Sequence, residues 1–311
     1  MKPLQQLCDP RESIFEEDYK DTVLDITNLI DGKISAREFF ETNYVTDGMR
    51  TLLREGFRRF ARRSEKSTFL LTQSMGGGKT HNMIALGLLA QNPELREEVM
   101  GSDYDVDLGK VRVAGFTGRE SDAPYGIWGS IAEQLGKRDQ FSDYYSPLQA
   151  PGQTAWIELL KGEPLLILLD ELPPYLRDAK SKTIGDSNLA NVTTTALSNL
   201  LVAANKGELD NVCIVISSLQ ATYQEESKEI SEVLRTLESE VQRGAVHLEP
   251  VSHNTNEIYH ILRTRIFEEL PEENKVQKIA RGYADAVEEA KQMDVTSESP
   301  ETYATRLTES Y

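Results

Sequence analysis

Residues 67–80 read Ser-Thr-Phe-Leu-Leu-Thr-Gln-Ser-Met-Gly-Gly-Gly-Lys-Thr, an apolar run that passes through three adjacent glycines into Lys-Thr. Phe69, Leu70 and Leu71 predict a short buried strand, and the spacing after it predicts a helix from about Lys79 to Gln91, closed by Asn92-Pro93. Gly76, Gly77 and Gly78 free the backbone between them for positive φ, so consecutive N–H groups can turn inward on an anion. The positive end of the helix aims at the same place. Such a loop is a polyphosphate cradle in which Lys79 meets the β- and γ-phosphates and the Thr80 hydroxyl meets Mg²⁺. The expected binding set is Ser74, Met75, Gly76, Gly77, Gly78, Lys79, Thr80 and His81. One position departs from the general pattern GxxxxGK[ST], because Gln73 stands where the first glycine belongs. A plain glycine-rich turn is the alternative, disfavoured by the strand before it and the helix after it.

A phosphate cradle for a hydrolase needs a second, acidic strand to support Mg²⁺ and direct water. Residues 164–171, Pro-Leu-Leu-Ile-Leu-Leu-Asp-Glu, supply one: five large aliphatics, suited to a parallel strand buried on both faces, end in Asp170-Glu171. Asp170 is the expected support for Mg²⁺ and Glu171 the group that polarises water; two solvated acids closing a core strand are the bland alternative. Residues 211–218 form a third apolar run, ending in Ser217 and Ser218. Ligands bind beyond the carboxyl ends of strands in open α/β sheets, so either serine can sense the γ-phosphate, and either can equally be a turn residue.

Composition narrows the classes. The chain has 311 residues, 34 Lys+Arg against 51 Asp+Glu, and a formal net charge of −17. Such acidity argues against non-specific binding to phosphate backbones. The local exception is Arg50–Lys66, where Arg54, Arg58, Arg59, Arg62, Arg63 and Lys66 interleave with Leu52, Leu53, Phe57 and Phe60 at helical spacing. An amphipathic helix packed on the sheet with a solvated cationic face is the favoured reading, a nucleic-acid or acidic-partner contact the sharper one. Cys8 and Cys213 are far apart and give no disulfide framework, which points to reducing cytoplasm. No apolar run approaches the ~20 residues of a membrane span, and the polar start is not a signal peptide.

Further along, strands are expected at 111–116 and 245–251 and helices at about 46–63, 125–135, 156–160, 187–205 and 225–243. Residues 136–152 read as a long surface connection. Helices at about 255–270 and 273–292 follow the last strand. The alternation predicts a five-stranded parallel sheet sandwiched by helices.

The glycine loop, Asp-Glu strand, polar-tipped strand, following helix and closing strand resemble, in that order, the AAA+ P-loop ATPases over about residues 46–270. More narrowly, Thr72–Ala90, the segment Leu-Leu-Asp-Glu-Leu-Pro-Pro-Tyr-Leu (168–176) and the segment Arg-Gly-Ala-Val-His-Leu-Glu-Pro-Val-Ser (243–252) resemble uncharacterised prokaryotic ATPases, a domain of unknown function encoded near methyltransferases and helicases in anti-phage defence clusters. The resemblance implies an N-terminal helical extension (1–45), an ATPase core (46–253) and a helical lid (254–311) that is incomplete, the chain being an N-terminal fragment. It implies ATP and Mg²⁺ as ligands, a homo-oligomer, and DNA or DNA-modifying defence proteins as partners, without a membrane. It places at Arg243, with Arg235 in reserve, an arginine that reaches a neighbouring subunit's nucleotide; a helix-terminal arginine paired with the dipole is the alternative. The lid's sensing arginine is open between Arg281 and Arg306. The expected activity is Mg-dependent ATP hydrolysis that remodels a DNA- or protein-associated assembly. An ATP-operated switch with little turnover and a small-molecule phosphotransferase are the rivals, and preference for adenine rests on the resemblance alone.

Overall fold

Uninterrupted runs of large aliphatic residues favour strands covered on both faces. The computed structural model, which describes residues 8–15, 24–73, 77–119, 123–146, 148–217, 239, 244–252, 256–269, 271–290 and 299–310, joins three fully buried apolar runs and two more mixed segments into one five-stranded parallel sheet. The strands are β1 (Thr68–Leu71), β2 (Arg112–Thr117), β3 (Leu165–Asp170), β4 (Val212–Ser217) and β5 (Val246–Leu248), in the spatial order β2-β3-β4-β1-β5. The register sets Thr117 beside Asp170 and Leu71 beside both Ser217 and Leu248, so the polar strand ends share one edge.

The described helices are α1 (Ile26–Ile30), α2 (Ala36–Glu41), α3 (Asp47–Phe60), α4 (Lys79–Gln91), α5 (Arg96–Met100), α6 (Gly126–Gln134), α7 (Gln153–Leu160), α8 (Leu172–Lys180), α9 (Leu189–Ala204), α10 (Glu257–Ile266), α11 (Glu273–Ala290) and α12 (Pro300–Ser310). Strand side chains alternate between faces. Leu70, Phe116, Leu165, Ile167, Leu169 and Ile214 point to the face where α6, α7, α8 and α9 complete a continuous core around Trp128, Trp156 and Tyr175. On the other side, α1, α3 and α4 pack on the sheet. Two glycines admit α1: a Cβ on Gly115 would come within 2.5 Å of Ile26 Cγ2, and one on Gly87 would overlap Leu29. The α3 amino end is capped by Thr46, whose hydroxyl accepts from Met49 N–H at 3.2 Å and donates to the Pro250 carbonyl at 2.5 Å.

The basic stretch of α3 and its exit keeps most of its cations at the solvated surface, with one exception. Arg59 is buried, and its guanidinium donates to the carbonyls of Val212, Ser64, Ala204 and Leu209, tying α3 to the start of β4 and the end of α9. Lys66 pairs with Glu55 at 2.9 Å, Arg50 with Asp103 at 3.1 Å and Arg62 with Asp210 at 3.2 Å. Arg96 is fully buried too; it donates to the carbonyls of Leu89, Ala90, Leu108 and Gly109 while lying 4.7 Å over the Phe57 ring.

One local reading changes, and one helix appears that the sequence reading did not include. Residues 136–152 are not simply a surface connection, because a 3₁₀ turn over Arg138–Tyr144 buries Phe141 edge-on against Trp156 at 5.5 Å. Directly after Asp170-Glu171 the chain forms α8, with Pro173 and Pro174 in the first turn, where proline's missing N–H costs nothing. Apart from Ser239, the predicted helix at 225–243 lies outside the described residues.

The described residues fall into two units. One comprises 23–39 and 45–251 and contains the sheet; the other is drawn from 1–22, 40–44 and 252–311. In the second unit Asp9–Pro10 pairs antiparallel with Phe267–Glu269, so α10 ends at Ile266 in an extended segment rather than running on to residue 270. There α11 and α12 pack on each other. Among the described residues no helix is long and apolar enough to cross a membrane.

Candidate functional site

Three strand ends and one helix start converge at the carboxyl edge of the sheet. Beyond β1 the Thr72 N–H donates to the Leu248 carbonyl at 2.9 Å, holding the chain against β5 as it enters the glycine loop. Ser74, Met75 and Gly76 lie outside the described residues. Gly78 is left-handed at φ 79° and serves as the N-cap of α4, which explains a glycine immediately before Lys79. Its carbonyl accepts from both the main-chain N–H and the side-chain amide of Asn82 at 3.0 Å, fixing the first turn. Every residue of α4 from Asn82 to Ala90 is buried, so the helix is anchored on all sides and its first turn cannot drift from the sheet edge.

That anchoring brings Thr80 to Asp170: the threonine hydroxyl donates to Asp170 Oδ2 at 2.6 Å. Asp170 is buried at the end of β3, and its other oxygen accepts the Glu171 N–H at 3.0 Å. The same N–H also reaches Ser217 Oγ at 3.0 Å, so the end of β4 braces the turn after β3. Glu171 is itself left-handed, at φ 47° and ψ 43°, an uncommon state for a residue with a side chain. Gly118 makes room for it: a Cβ there would overlap the Glu171 carbonyl oxygen, and the Gly118 N–H donates to the Asp170 carbonyl at 2.8 Å. Arg119, next in sequence, pairs bidentately with the Glu171 carboxylate, one arm at 3.0 Å.

Lys79 completes the cluster. Its ammonium donates to the Gln73 carbonyl at 2.7 Å. Burial pushes its pKa below the ordinary lysine value, and the charges of Asp170 and Glu171 pull it partly back up. A partly buried cation facing two acids, beside a helix start, is the charge pattern that a polyphosphate with a divalent cation completes. The adjacent Thr80 and Asp170 oxygens are hard donors of the kind Mg²⁺ selects, and two protein oxygens suit an ion that keeps most of its shell for water and phosphate.

Of the sequence-predicted residues, Gly77, Gly78, Lys79, Thr80, Asp170, Glu171 and Ser217 gather at this edge. His81 stands one residue further along α4, with its ring stacked on Phe39 at 4.6 Å. Ser218, Arg243 and Arg235 lie outside the described residues. Arg281 and Arg306 are exposed positions of α11 and α12. Sequence reasoning missed Gly118 and Arg119, which follow an ordinary strand without a motif. It also missed the use of Gln73, whose carboxamide accepts from Val251 N–H at 3.0 Å and donates to Val251 C=O at 2.9 Å, a contact 178 residues away in sequence.

A comparison with curated proteins found no match. The family model of the DUF499 N-terminal domain, a domain of unknown function, matches residues 5–113 and 120–248. With more than half of its length so matched, the chain belongs to the DUF499 N-terminal domain family.

Proposed function

We propose that this chain is an ATPase of the AAA+ P-loop kind, binding Mg-ATP at the carboxyl edge of the sheet. The observation that carries the reading is the Thr80–Asp170 hydrogen bond, which joins the start of the glycine-loop helix to the acidic strand. The strand order supports it, since β4 stands between β1 and β3 and sets Ser217 between the loop and the acids. In this reading Lys79 and the first-turn amides of α4 hold the phosphates, and Thr80 and Asp170 hold Mg²⁺. Bound Mg²⁺ supplies neutralisation of charge on the transferring phosphoryl group. Glu171 orients the attacking water and accepts its proton; Ser217, through the Glu171 N–H, keeps the carboxylate aimed. The resemblance adds Arg243 as a finger acting in a neighbouring copy, and an output of remodelling a DNA- or protein-associated assembly in defence against foreign DNA.

The test is Mg-dependent ATP hydrolysis against protein concentration, with and without double-stranded DNA. Loss of turnover in Lys79→Ala and Glu171→Gln, with nucleotide binding retained only in the latter, is the expected result. Retained turnover in Glu171→Gln would overturn the assigned role.

One observation favours a second reading, an ATP-operated switch with little turnover. Arg119 occupies both oxygens of Glu171, and a carboxylate held that way is a poor base. Nucleotide binding with no hydrolysis at any concentration is the outcome that selects it.

A further inference from the structure

The departure at Gln73 sits where the phosphate loop begins. Gln73 makes two sets of contacts from one residue. Its main-chain carbonyl accepts the Lys79 ammonium at 2.7 Å. Its carboxamide closes a two-bond bridge onto the main chain of Val251, accepting at 3.0 Å and donating at 2.9 Å. Gly77 lies directly on this side chain, since a Cβ there would stand 2.5 Å from Gln73 Cγ and 2.8 Å from its Cδ. A glycine at 73, as the general pattern has it, could make the first contact but neither bond of the bridge. The segment on the far side is well held: the Pro250 carbonyl accepts from Thr46, the Glu249 carbonyl leaves no room for a Cβ on Gly48, and Pro250 lies 3.9 Å from the Cβ position of Gly78.

We propose that Gln73 is a positioning residue coupling occupancy of the phosphate loop to residues 249–251, the stretch through which the chain leaves β5. The inference rests on the nucleotide reading above. A polyphosphate oxygen is a stronger partner for an ammonium than a neutral carbonyl, so bound nucleotide draws Lys79 off the Gln73 carbonyl. The peptide at 73 then loses its cationic donor. Because the side chain of that same residue is locked between Gly77 and Val251, its adjustment reaches the Val251 N–H directly.

Val251 N–H is its own reporter, because its hydrogen-bond acceptor is Gln73 Oε1. Hydrogen exchange of that amide, read by NMR on the chain labelled at valine, is measured with and without Mg²⁺ and the non-hydrolysable analogue AMP-PNP. Binding is measured separately by calorimetry. The variants are Gln73→Met, which keeps the length without the hydrogen bonds, and Gln73→Gly, which restores the general pattern. In the wild type, nucleotide is expected to change the Val251 exchange rate severalfold. In both variants Val251 should exchange about tenfold faster and ignore nucleotide, while affinity falls about tenfold, the worth of one to two hydrogen bonds. An equal nucleotide response of Val251 in wild type and variants overturns the coupling, as does a Gln73→Gly chain that binds as tightly as wild type. Wild-type binding with an unresponsive Val251 overturns the coupling alone. No binding by the wild type removes the nucleotide reading and the coupling with it.

Discussion

Ser217 Oγ accepts the main-chain N–H of Glu171 at 3.0 Å, a bond from the end of one strand to the left-handed residue after the next. Both atoms belong to the sheet edge rather than to a loop, so the serine acts on the backbone that aims the carboxylate. Ser217→Ala leaves the Glu171 N–H with Asp170 alone. Turnover is expected to fall about five- to tenfold with KM for ATP nearly unchanged, in line with one net hydrogen bond of about 1 kcal/mol. Steady-state kinetics checks it, and a rise in KM with unaltered kcat would assign Ser217 to binding instead.

The Arg119–Glu171 pair is exposed, and such pairs contribute about 0–1 kcal/mol to stability. Arg119→Ala should therefore leave the thermal midpoint almost where it was. It frees the carboxylate, so ATP turnover by the isolated chain is expected to rise severalfold. Added salt should move the wild type in the same direction, since screening weakens exposed pairs. A fall in turnover would place Arg119 among the groups that promote the reaction.

Gly118→Ala forces a methyl group into the Glu171 carbonyl oxygen, which is backbone and cannot swing aside. The expected cost is about 1–3 kcal/mol, as for overpacking elsewhere, together with most of the hydrolytic activity. Denaturant unfolding and an ATPase assay measure the two effects. An alanine that is neutral in both would show that the β2 exit yields easily.

Lys79 is held below the ordinary lysine pKa by burial, against the pull of Asp170 and Glu171. Between its folded value and the unfolded value of 10.5 the unfolded chain binds more protons, so the lysine's contribution to stability improves as pH rises through that window. At neutral pH the folded protein bears the cost of the buried charge. Lys79→Met removes it; any stability advantage of the variant should be greatest near pH 7 and narrow towards pH 10, by urea denaturation at each pH. An advantage that widens with pH would contradict the sign. Nucleotide binding should be lost throughout.

The central strands β1, β3 and β4 were legible because each is a buried, almost wholly apolar run, and α4 because a glycine triplet and Asn92-Pro93 bracket it. Lys79, Thr80, Asp170, Glu171 and Ser217 could be named because each sits at a strand end or helix start that pattern alone locates. What escaped is long-range. Arg59 reads as one cation in a basic run, and only tertiary structure delivers four carbonyls to it. The helix over Leu172–Lys180 was not read from the sequence, and its prolines fit because they fall in the first turn. Phe141 lies in a polar stretch whose one buried ring finds Trp156 across the core. Gly118 carries no local mark, and Gln73 is marked only as a departure from the general pattern, since the atoms that give them meaning are 53 and 178 residues away.

The two glycine hollows under α1 bear on where this protein can be cut. Ile26 fills the space over Gly115 on β2, and Leu29 fills the space over Gly87 on α4, both side chains almost wholly buried. A chain trimmed to start at Thr46 would keep every residue of the sheet and of the candidate site and still lose the plug that seals one face. Water would then reach β2 and the middle of α4, the helix whose first turn carries Lys79 and Thr80. Five residues of short helix therefore cover apolar surface that any shorter version of this domain would leave open to water.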